Sequence, residues 1–111
     1  MSKQFAGVLL ILASLYTGIV AAHSNHGTVT EHSAMATAAR TVQKMTLKDL
    51  GYGVGKLDES WKKIAPEQLS VVEQDDHFYI VAVKNAGTDE TVYLKVMLNG
   101  DVAVASKSND F

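Results

Sequence analysis

The sequence predicts an α+β domain, in which one N-terminal amphipathic helix packs on a four-stranded antiparallel meander sheet after a cleaved signal peptide. Three observations support this fold class. Residues 1–22 combine one positive charge, a long apolar run and a small-residue end. Apolar residues from Met35 to Met45 recur at the three-and-four spacing of one helical face. From Leu69 onward, β-branched and aromatic runs alternate with turn residues, as in a set of short strands.

Residues 1–22 have the pattern of a secretory signal peptide. Lys3 precedes an uncharged stretch that begins at Phe5, and Val20-Ala21-Ala22 ends it with the small residues that signal peptidase accepts. A permanent membrane anchor needs about 20 apolar residues, whereas this stretch contains serine, threonine and glycine and no basic cluster follows it. A lipid anchor at this junction would need a cysteine, which the chain lacks. We therefore expect cleavage after Ala22, export from the cytoplasm and no stable membrane anchor.

Composition restricts the mature chain to a few function classes. Removing 22 of the 111 residues leaves 89, which suits a single small domain. The net charge of −2 becomes −3 without Lys3, and no basic patch remains for nucleic acid. Because there is no cysteine, thiol redox chemistry, cysteine nucleophiles and tetrathiolate metal sites are excluded, and packing alone must hold the domain together.

The first predicted elements are a histidine-containing tail and the helix. Residues 23–29 are polar and without periodicity, which indicates a flexible tail, and the single α+β domain is expected over residues 30–111. Thr28 offers a hydroxyl cap, with Glu31 three residues later to complete a capping box. We expect the helix to begin there and to end near Gly51.

The connection between the helix and the sheet is rich in glycine. Gly51, Gly53 and Gly55 follow a helix, whereas a dinucleotide-binding loop follows a strand and opens a helix. The glycines therefore predict a helix C-cap and a turn. Trp61, the only tryptophan, is expected to anchor the helix on the sheet, and Pro66 closes the connection.

Four strands are predicted in the C-terminal half of the chain. They cover residues 69–74, 77–84, 91–98 and 101–105. Asn99-Gly100, between the last two, is a strong hairpin signal because both residues tolerate positive φ. Short turns or loops join consecutive strands, and an antiparallel meander follows.

The second and third predicted strands define the two faces of the sheet. In the third strand, alternate apolar residues from Val92 to Leu98 share one face, which the helix should cover. The second strand is apolar on both faces, which predicts a central position. The face without the helix would then carry an apolar stripe, and such stripes mark partner sites. Tyr79 and Tyr93 are the candidate partner-binding residues.

Two motifs resemble a known family. They are a Gly-Lys-Leu-Asp-x-Ser-Trp turn at residues 55–61 and a Thr-Val-Tyr-Leu-x-Val-x-Leu-Asn-Gly-Asp hairpin at residues 91–101. With the histidine-containing start and the Ala-rich helix, they resemble small exported bacterial proteins catalogued as domain-of-unknown-function family 6488, over most of residues 26–106. The layout is also similar to one repeat of the PepSY group. The resemblance implies the periplasm of a Gram-negative bacterium and supplies no activity.

The histidines are the only candidates for chemistry. If cleavage falls after Ala22, the free amine and imidazole of His23 would chelate Cu²⁺ or Ni²⁺, and His26 would add a third nitrogen. His32 would join this metal site if Gly27 lets the tail fold back. The alternative is a polar tail that happens to contain histidines, because a mobile tail loses entropy when it binds an ion.

No catalytic constellation is recognisable in the sequence. Nothing places Ser60 and His77 on a strand-turn-helix elbow, and the paired acids at 75–76 and 89–90 fall in turns. We therefore expect a non-catalytic periplasmic binding or accessory module that contacts an unidentified periplasmic protein through the sheet. The alternatives are a periplasmic accessory protein that binds copper, nickel or zinc, and a peptidase-modulating module of the PepSY kind. Apart from such an ion, no cofactor is expected.

Overall fold

The computed structural model describes residues 29–111, so the predicted signal peptide, Thr28, His23 and His26 lie outside the described residues. The helix α1 spans Glu31–Met45, and two 3₁₀ turns span Glu59–Trp61 and Pro66–Gln68; the strands are β1 Leu69–Gln74, β2 Phe78–Lys84, β3 Thr91–Met97 and β4 Val102–Ser106. One helix and four strands confirm the predicted α+β class. Within this part of the chain, no helix has the length and hydrophobicity to span a membrane.

The four strands form one sheet in the order β1-β2-β3-β4, with every neighbouring pair antiparallel. This is the predicted meander, and β2 occupies a central position as expected. The β1–β2 turn is held by Asp75, whose Oδ1 accepts hydrogen bonds from the amides of His77 at 2.7 Å and Phe78 at 3.1 Å. In the β3–β4 hairpin, Gly100 has a φ of +97°. The Asn99-Gly100 signal therefore located this turn correctly.

The start of α1 differs from the prediction. The N-cap is Thr30 rather than Thr28: its Oγ1 accepts from the amide of Ser33 at 3.1 Å, and Ser33 Oγ accepts from the amide of Thr30 at 2.9 Å. Serine replaces the usual glutamate or glutamine of a capping box, which is why the sequence pattern favoured the earlier threonine. Val29, assigned to the tail by its sequence, already donates its amide to Leu98 O at 3.0 Å.

The helix also ends earlier than Gly51. Met45 is its last residue, and the C-cap Thr46 donates its hydroxyl to Gln43 O at 2.6 Å. Leu57 then donates its amide to Met45 O at 2.8 Å, so the chain returns to the helix end after its glycine-rich excursion. The hydroxyl of Thr46 thus forms a hydrogen bond with a free carbonyl group at the helix end. In a C-terminal glycine motif, backbone amides form such bonds instead.

The hydrophobic core lies between α1 and one face of the sheet. Its buried residues are Ala34, Ala38, Val42 and Met45 from the helix, Leu57 and Trp61 from the connection, and Tyr79, Val81, Val83, Val92, Leu94, Val96 and Ala105 from the strands. The predicted inward face of β3 is confirmed. Trp61 is 2% exposed and lies in this cluster with residues of the helix and the strands, as expected for a residue that anchors the helix on the sheet.

The glycine-rich connection runs along the edge of β4. Ala105 donates its amide to Tyr52 O at 2.8 Å. A Cβ atom at Gly53 would lie 3.1 Å from Ala105 O, and the φ of Gly53 is +115°. Only glycine combines this conformation with so close an approach to another backbone. The connection therefore covers part of one sheet edge. The turn predicted from the glycine spacing is confirmed, whereas the predicted glycine C-cap is wrong because Thr46 caps the helix.

Candidate functional site

The face of the sheet that points away from α1 is the first candidate site, and we call it the outer face. It is formed by three cross-strand pairs of β2 and β3: Phe78 with Met97, Ile80 with Lys95, and Ala82 with Tyr93. Ile80 and Ala82 are buried by their neighbours, at 1% and 8% exposure, yet neither belongs to the core cluster under the helix. The remaining four side chains are half-buried. The centre of the outer face is thus apolar with one cation, Lys95, and on its β1 side Ser70 and Glu73 lie opposite Ala82 and Ile80.

That cation, Lys95, lies between two aromatic rings. Its Nζ is 4.5 Å from the centroid of the Phe78 ring and 5.9 Å from that of Phe111, whose side chain is 47% exposed. An ammonium over an aromatic face is attracted by the ring quadrupole. Within residues 29–111 the one ion pair joins Lys84 to Asp89, at 3.6 Å. Lys95 therefore presents a positive charge that lies against two aromatic rings and forms no ion pair within residues 29–111.

The two candidate tyrosines lie on opposite faces of the sheet. Tyr93 is opposite Ala82 on the outer face, as a partner-binding role requires. Tyr79 is opposite Val96, is 7% exposed and belongs to the core cluster on the helix side. Its expected place on the outer face is therefore wrong. Because β2 is apolar on both faces, composition alone did not distinguish them, whereas strict alternation with Val81 would have assigned Tyr79 to the inner face.

A pocket of about 450 Å³ lies where the start of α1 meets the β1–β2 turn, and we call it the α1-end pocket. Its walls include Val29, Glu31, Asp75, Asp76, Tyr79 and Leu98. Carboxylates and apolar groups therefore face the same space. Sequence analysis missed this site because its residues come from three separate segments that only the tertiary fold brings together.

A smaller, mainly apolar groove of about 220 Å³ lies beside α1. It contains His32, the one candidate metal ligand that lies within residues 29–111. His32 and Met35 both line it, with Ile64 and Leu69 among the other lining residues. His32 is exposed, so its imidazole is accessible to an ion. No cluster of three or more histidine, aspartate or glutamate side chains with metal-binding geometry occurs in residues 29–111. Since His23 and His26 are outside that range, the predicted three-histidine site is not brought together in the described chain.

The motif at residues 55–61 has a structural explanation. Asp58 caps the first 3₁₀ turn by accepting the amide of Ser60 at 2.9 Å, and it also accepts the hydroxyl of Ser60. These two hydrogen bonds lower the pKa of the Asp58 carboxyl below its ordinary value, with the side-chain bond the larger cause. Ser60 Oγ in turn accepts from Asn85 Nδ2 at 2.8 Å. The serine is thus engaged in holding the connection to the sheet.

The described residues form a small α+β domain with an outer sheet face, the α1-end pocket and the groove beside α1. The motif at residues 55–61 places Trp61 in its core. Residues 1–110 match the model of a family described as a family of unknown function, DUF6488, and the chain belongs to that family. Comparison with curated proteins and with solved structures gave no match. The resemblance carried by the two motifs is therefore confirmed at the level of the family.

Proposed function

We propose that this protein is a non-catalytic binding module, exported to the periplasm, that holds a protein partner against the outer face of its sheet. The observation that supports this most is the position of Lys95, a cation that lies near the rings of Phe78 and Phe111 at the apolar centre of this face. The partner suited to this surface is an apolar protein segment that carries a carboxylate.

The chemistry of the outer face favours protein over small-molecule recognition. Aromatic residues and methionine are enriched in the centres of protein interfaces, and the outer face offers Phe78, Tyr93 and Met97 around the buried Ile80. A solvent-exposed ion pair contributes only about 0–1 kcal/mol. Burial of the apolar side chains would therefore supply most of the affinity, while Lys95 selects and orients an acidic partner.

Site-specific photocrosslinking in the cell tests this proposal. The photoreactive residue p-benzoylphenylalanine is placed at Tyr93 on the outer face, or at Leu47, which is 70% exposed and follows α1 on the other side of the sheet. Position 93 is expected to give one defined protein adduct that position 47 does not give. Adducts of the same identity and yield from both positions, or none from position 93, would contradict binding at the outer face.

Once the crosslinked partner is identified and purified, its affinity for variants of this protein can be compared. Tyr93→Lys places a second cation in the centre of the outer face and is expected to weaken the complex at least about tenfold, the usual effect of losing an aromatic anchor. Leu47→Lys adds the same charge elsewhere and serves as the control. Equal dissociation constants for the two variants would count against the proposal, provided that both retain the circular dichroism spectrum of the unmodified protein.

Export is a part of this proposal that can be checked separately. The pattern of residues 1–22 supports it, because a charged start, an apolar stretch and Ala21-Ala22 are what the secretory machinery recognises. Intact-mass spectrometry of the protein from the periplasmic fraction should give a chain that begins at His23. Recovery of the uncleaved chain in the cytoplasm would overturn this part of the proposal.

Copper binding is a second candidate function, because His32 and Met35 line the same groove. Residues three positions apart lie on one side of a helix, and imidazole with thioether is a donor set that suits copper better than zinc or nickel. His23 and His26 would supply further nitrogens from the tail. Titration of the mature protein with Cu⁺, Cu²⁺, Ni²⁺ and Zn²⁺ tests this: His32→Ala and Met35→Leu should each weaken Cu⁺ binding, and retention of full affinity in both would exclude the groove. The peptidase-modulating alternative stays a prediction from layout.

A further inference from the structure

We infer that the α1-end pocket binds an organic ammonium ion, a primary amine carried on a short apolar chain such as the side chain of a lysine in a partner peptide. The pocket has carboxylates on one side, from Glu31, Asp75 and Asp76, and apolar residues on the other. Its volume of about 450 Å³ falls in the range of ligand pockets, about 300–1,000 Å³. This site is separate from the outer face, because its buried wall residue Tyr79 belongs to the opposite face of the sheet.

The phenol of Tyr79 indicates that the pocket binds a polar group. The residue is 93% buried, as its exposure of 7% shows, and it lines the pocket. Its phenol makes no hydrogen bond with any side chain or backbone group of residues 29–111. The phenol oxygen is therefore free to accept a hydrogen bond from a ligand in the pocket. An ammonium group there would donate that hydrogen bond.

The charges around the pocket select a cation. Asp75 is held by the amides of His77 and Phe78 through its Oδ1, while neither Glu31 nor Asp76 forms an ion pair within residues 29–111. The N-terminus of α1 opposes a cation with a partial charge of only about +0.5. Three carboxylates exceed that partial charge severalfold, so the net local potential is negative. Val29 and Leu98 provide the apolar surface for the methylene chain of the ligand.

A cationic nitrogen group has two sources, and the experiment distinguishes them. One is an external amine. The other is the N-terminal segment of this chain, which enters the domain at Val29, itself a lining residue, and contains His23 and His26. If the histidines compete for the pocket, the His23→Ala/His26→Ala variant should bind an external amine more tightly than the unmodified mature protein. If they do not, the two proteins should bind it equally.

The test is a nuclear magnetic resonance titration of the mature protein with n-hexylamine, compared with n-hexanol as the uncharged analogue. Hexylamine should give saturable amide shifts in Glu31, Asp76 and Leu98, and hexanol should give none. The double variant Glu31→Gln/Asp76→Asn should weaken binding by about tenfold or more, since it removes two charged acceptors. Glu59→Gln, which removes a carboxylate outside the pocket, should leave binding unchanged.

A further variant connects the site to Tyr79. Tyr79→Phe keeps the buried ring and removes only the hydroxyl, so the fold should persist while hexylamine affinity falls severalfold. Tyr93→Lys, on the outer face, should leave hexylamine binding intact and shows that the two sites are independent. Absence of saturable hexylamine shifts, equal binding of hexanol, or full affinity in the Glu31→Gln/Asp76→Asn variant would each overturn the inference.

Discussion

Asn85 Nδ2 donates a 2.8 Å hydrogen bond to Ser60 Oγ, joining the β2–β3 loop to the connection that carries Trp61 across 25 positions of sequence. Asn85 is only 2% exposed, and its Oδ1 accepts from the amides of Gly87 at 2.8 Å and Thr88 at 3.1 Å. The buried side chain of Asn85 therefore fixes the conformation of its own loop and holds that loop against the connection that carries Trp61. Its three hydrogen bonds are what a buried asparagine requires to offset its desolvation.

Replacing Asn85 by alanine should destabilise the domain by about 2 kcal/mol, because the Gly87 and Thr88 amides lose their acceptor and Ser60 loses a donor. Ser60→Ala removes only part of this network and should cost about 1 kcal/mol. Urea denaturation followed by Trp61 fluorescence measures both values. Ser70→Ala, at an exposed position of β1, is the matched control and should change stability little. An Asn85→Ala variant as stable as this control would contradict the role assigned to the amide.

Asp58 should make the domain sensitive to acid. Its pKa is lower in the folded protein than in the unfolded chain, owing first to the hydroxyl of Ser60 and then to the amide of Ser60. A lowered folded-state pKa contributes stability that is fully present above the unfolded value and is lost as the pH falls below about 4. Asp58→Asn should therefore be less stable at neutral pH and should lose less stability than the unmodified protein between pH 5 and pH 3. Parallel pH curves for the two proteins would contradict this account.

The two tyrosines should respond differently to the same substitution. Tyr79→Lys buries an ammonium in the core between α1 and the sheet and should destabilise the domain by about 3 kcal/mol or more. Tyr93→Lys changes a half-buried residue of the outer face and should cost about 1 kcal/mol or less. Thermal denaturation of the two variants compares them directly. Equal losses of stability would mean that the sheet faces are assigned incorrectly.

The helix start can be tested with two threonines. Thr30→Ala removes the acceptor of the Ser33 amide and should destabilise the domain by about 1 kcal/mol. Thr28→Ala, two positions earlier, should leave stability unchanged. Urea denaturation midpoints would separate the two, and a larger effect at Thr28 would favour the capping box of Thr28 and Glu31 instead.

Gly53 should be intolerant of a methyl group. Gly53→Ala places a Cβ 3.1 Å from Ala105 O on a residue with φ of +115°, and we expect a loss of about 1–2 kcal/mol together with faster hydrogen exchange at the Ala105 amide. Gly87→Ala meets only an ordinary 3.5 Å contact and has no positive φ, which makes it the control. Unchanged exchange at Ala105 in Gly53→Ala would show that the connection does not protect the β4 edge.

Features that depend on short-range pattern were predictable from the sequence. The four strands, their meander order and the burial of Trp61 follow from alternation, turn residues and side-chain size, all of which act over a few positions. The cap at Thr30 was missed because Ser33 is an uncommon third residue of a capping box. Tyr79 was misplaced because β2 is apolar on both faces.

Features that depend on distant segments could not be predicted. The Ser60 to Asn85 hydrogen bond spans 25 positions, and the α1-end pocket combines the start of the helix with the β1–β2 turn. Neither leaves a periodic signal in the chain. The cation between Phe78 and Phe111 likewise arises only when the register places Lys95 opposite Ile80.

The central claim, that Lys95 recognises a carboxylate of a protein partner, is tested most directly by charge reversal at that position. The measurement is the dissociation constant of the partner captured at position 93 for the unmodified protein, Lys95→Arg and Lys95→Glu. Arginine keeps the charge and the ring contacts and should bind within about threefold of the unmodified protein, whereas glutamate should weaken binding at least about tenfold and raise the dissociation rate. Equal affinity of the glutamate and arginine variants would contradict recognition of an acidic partner at the outer face.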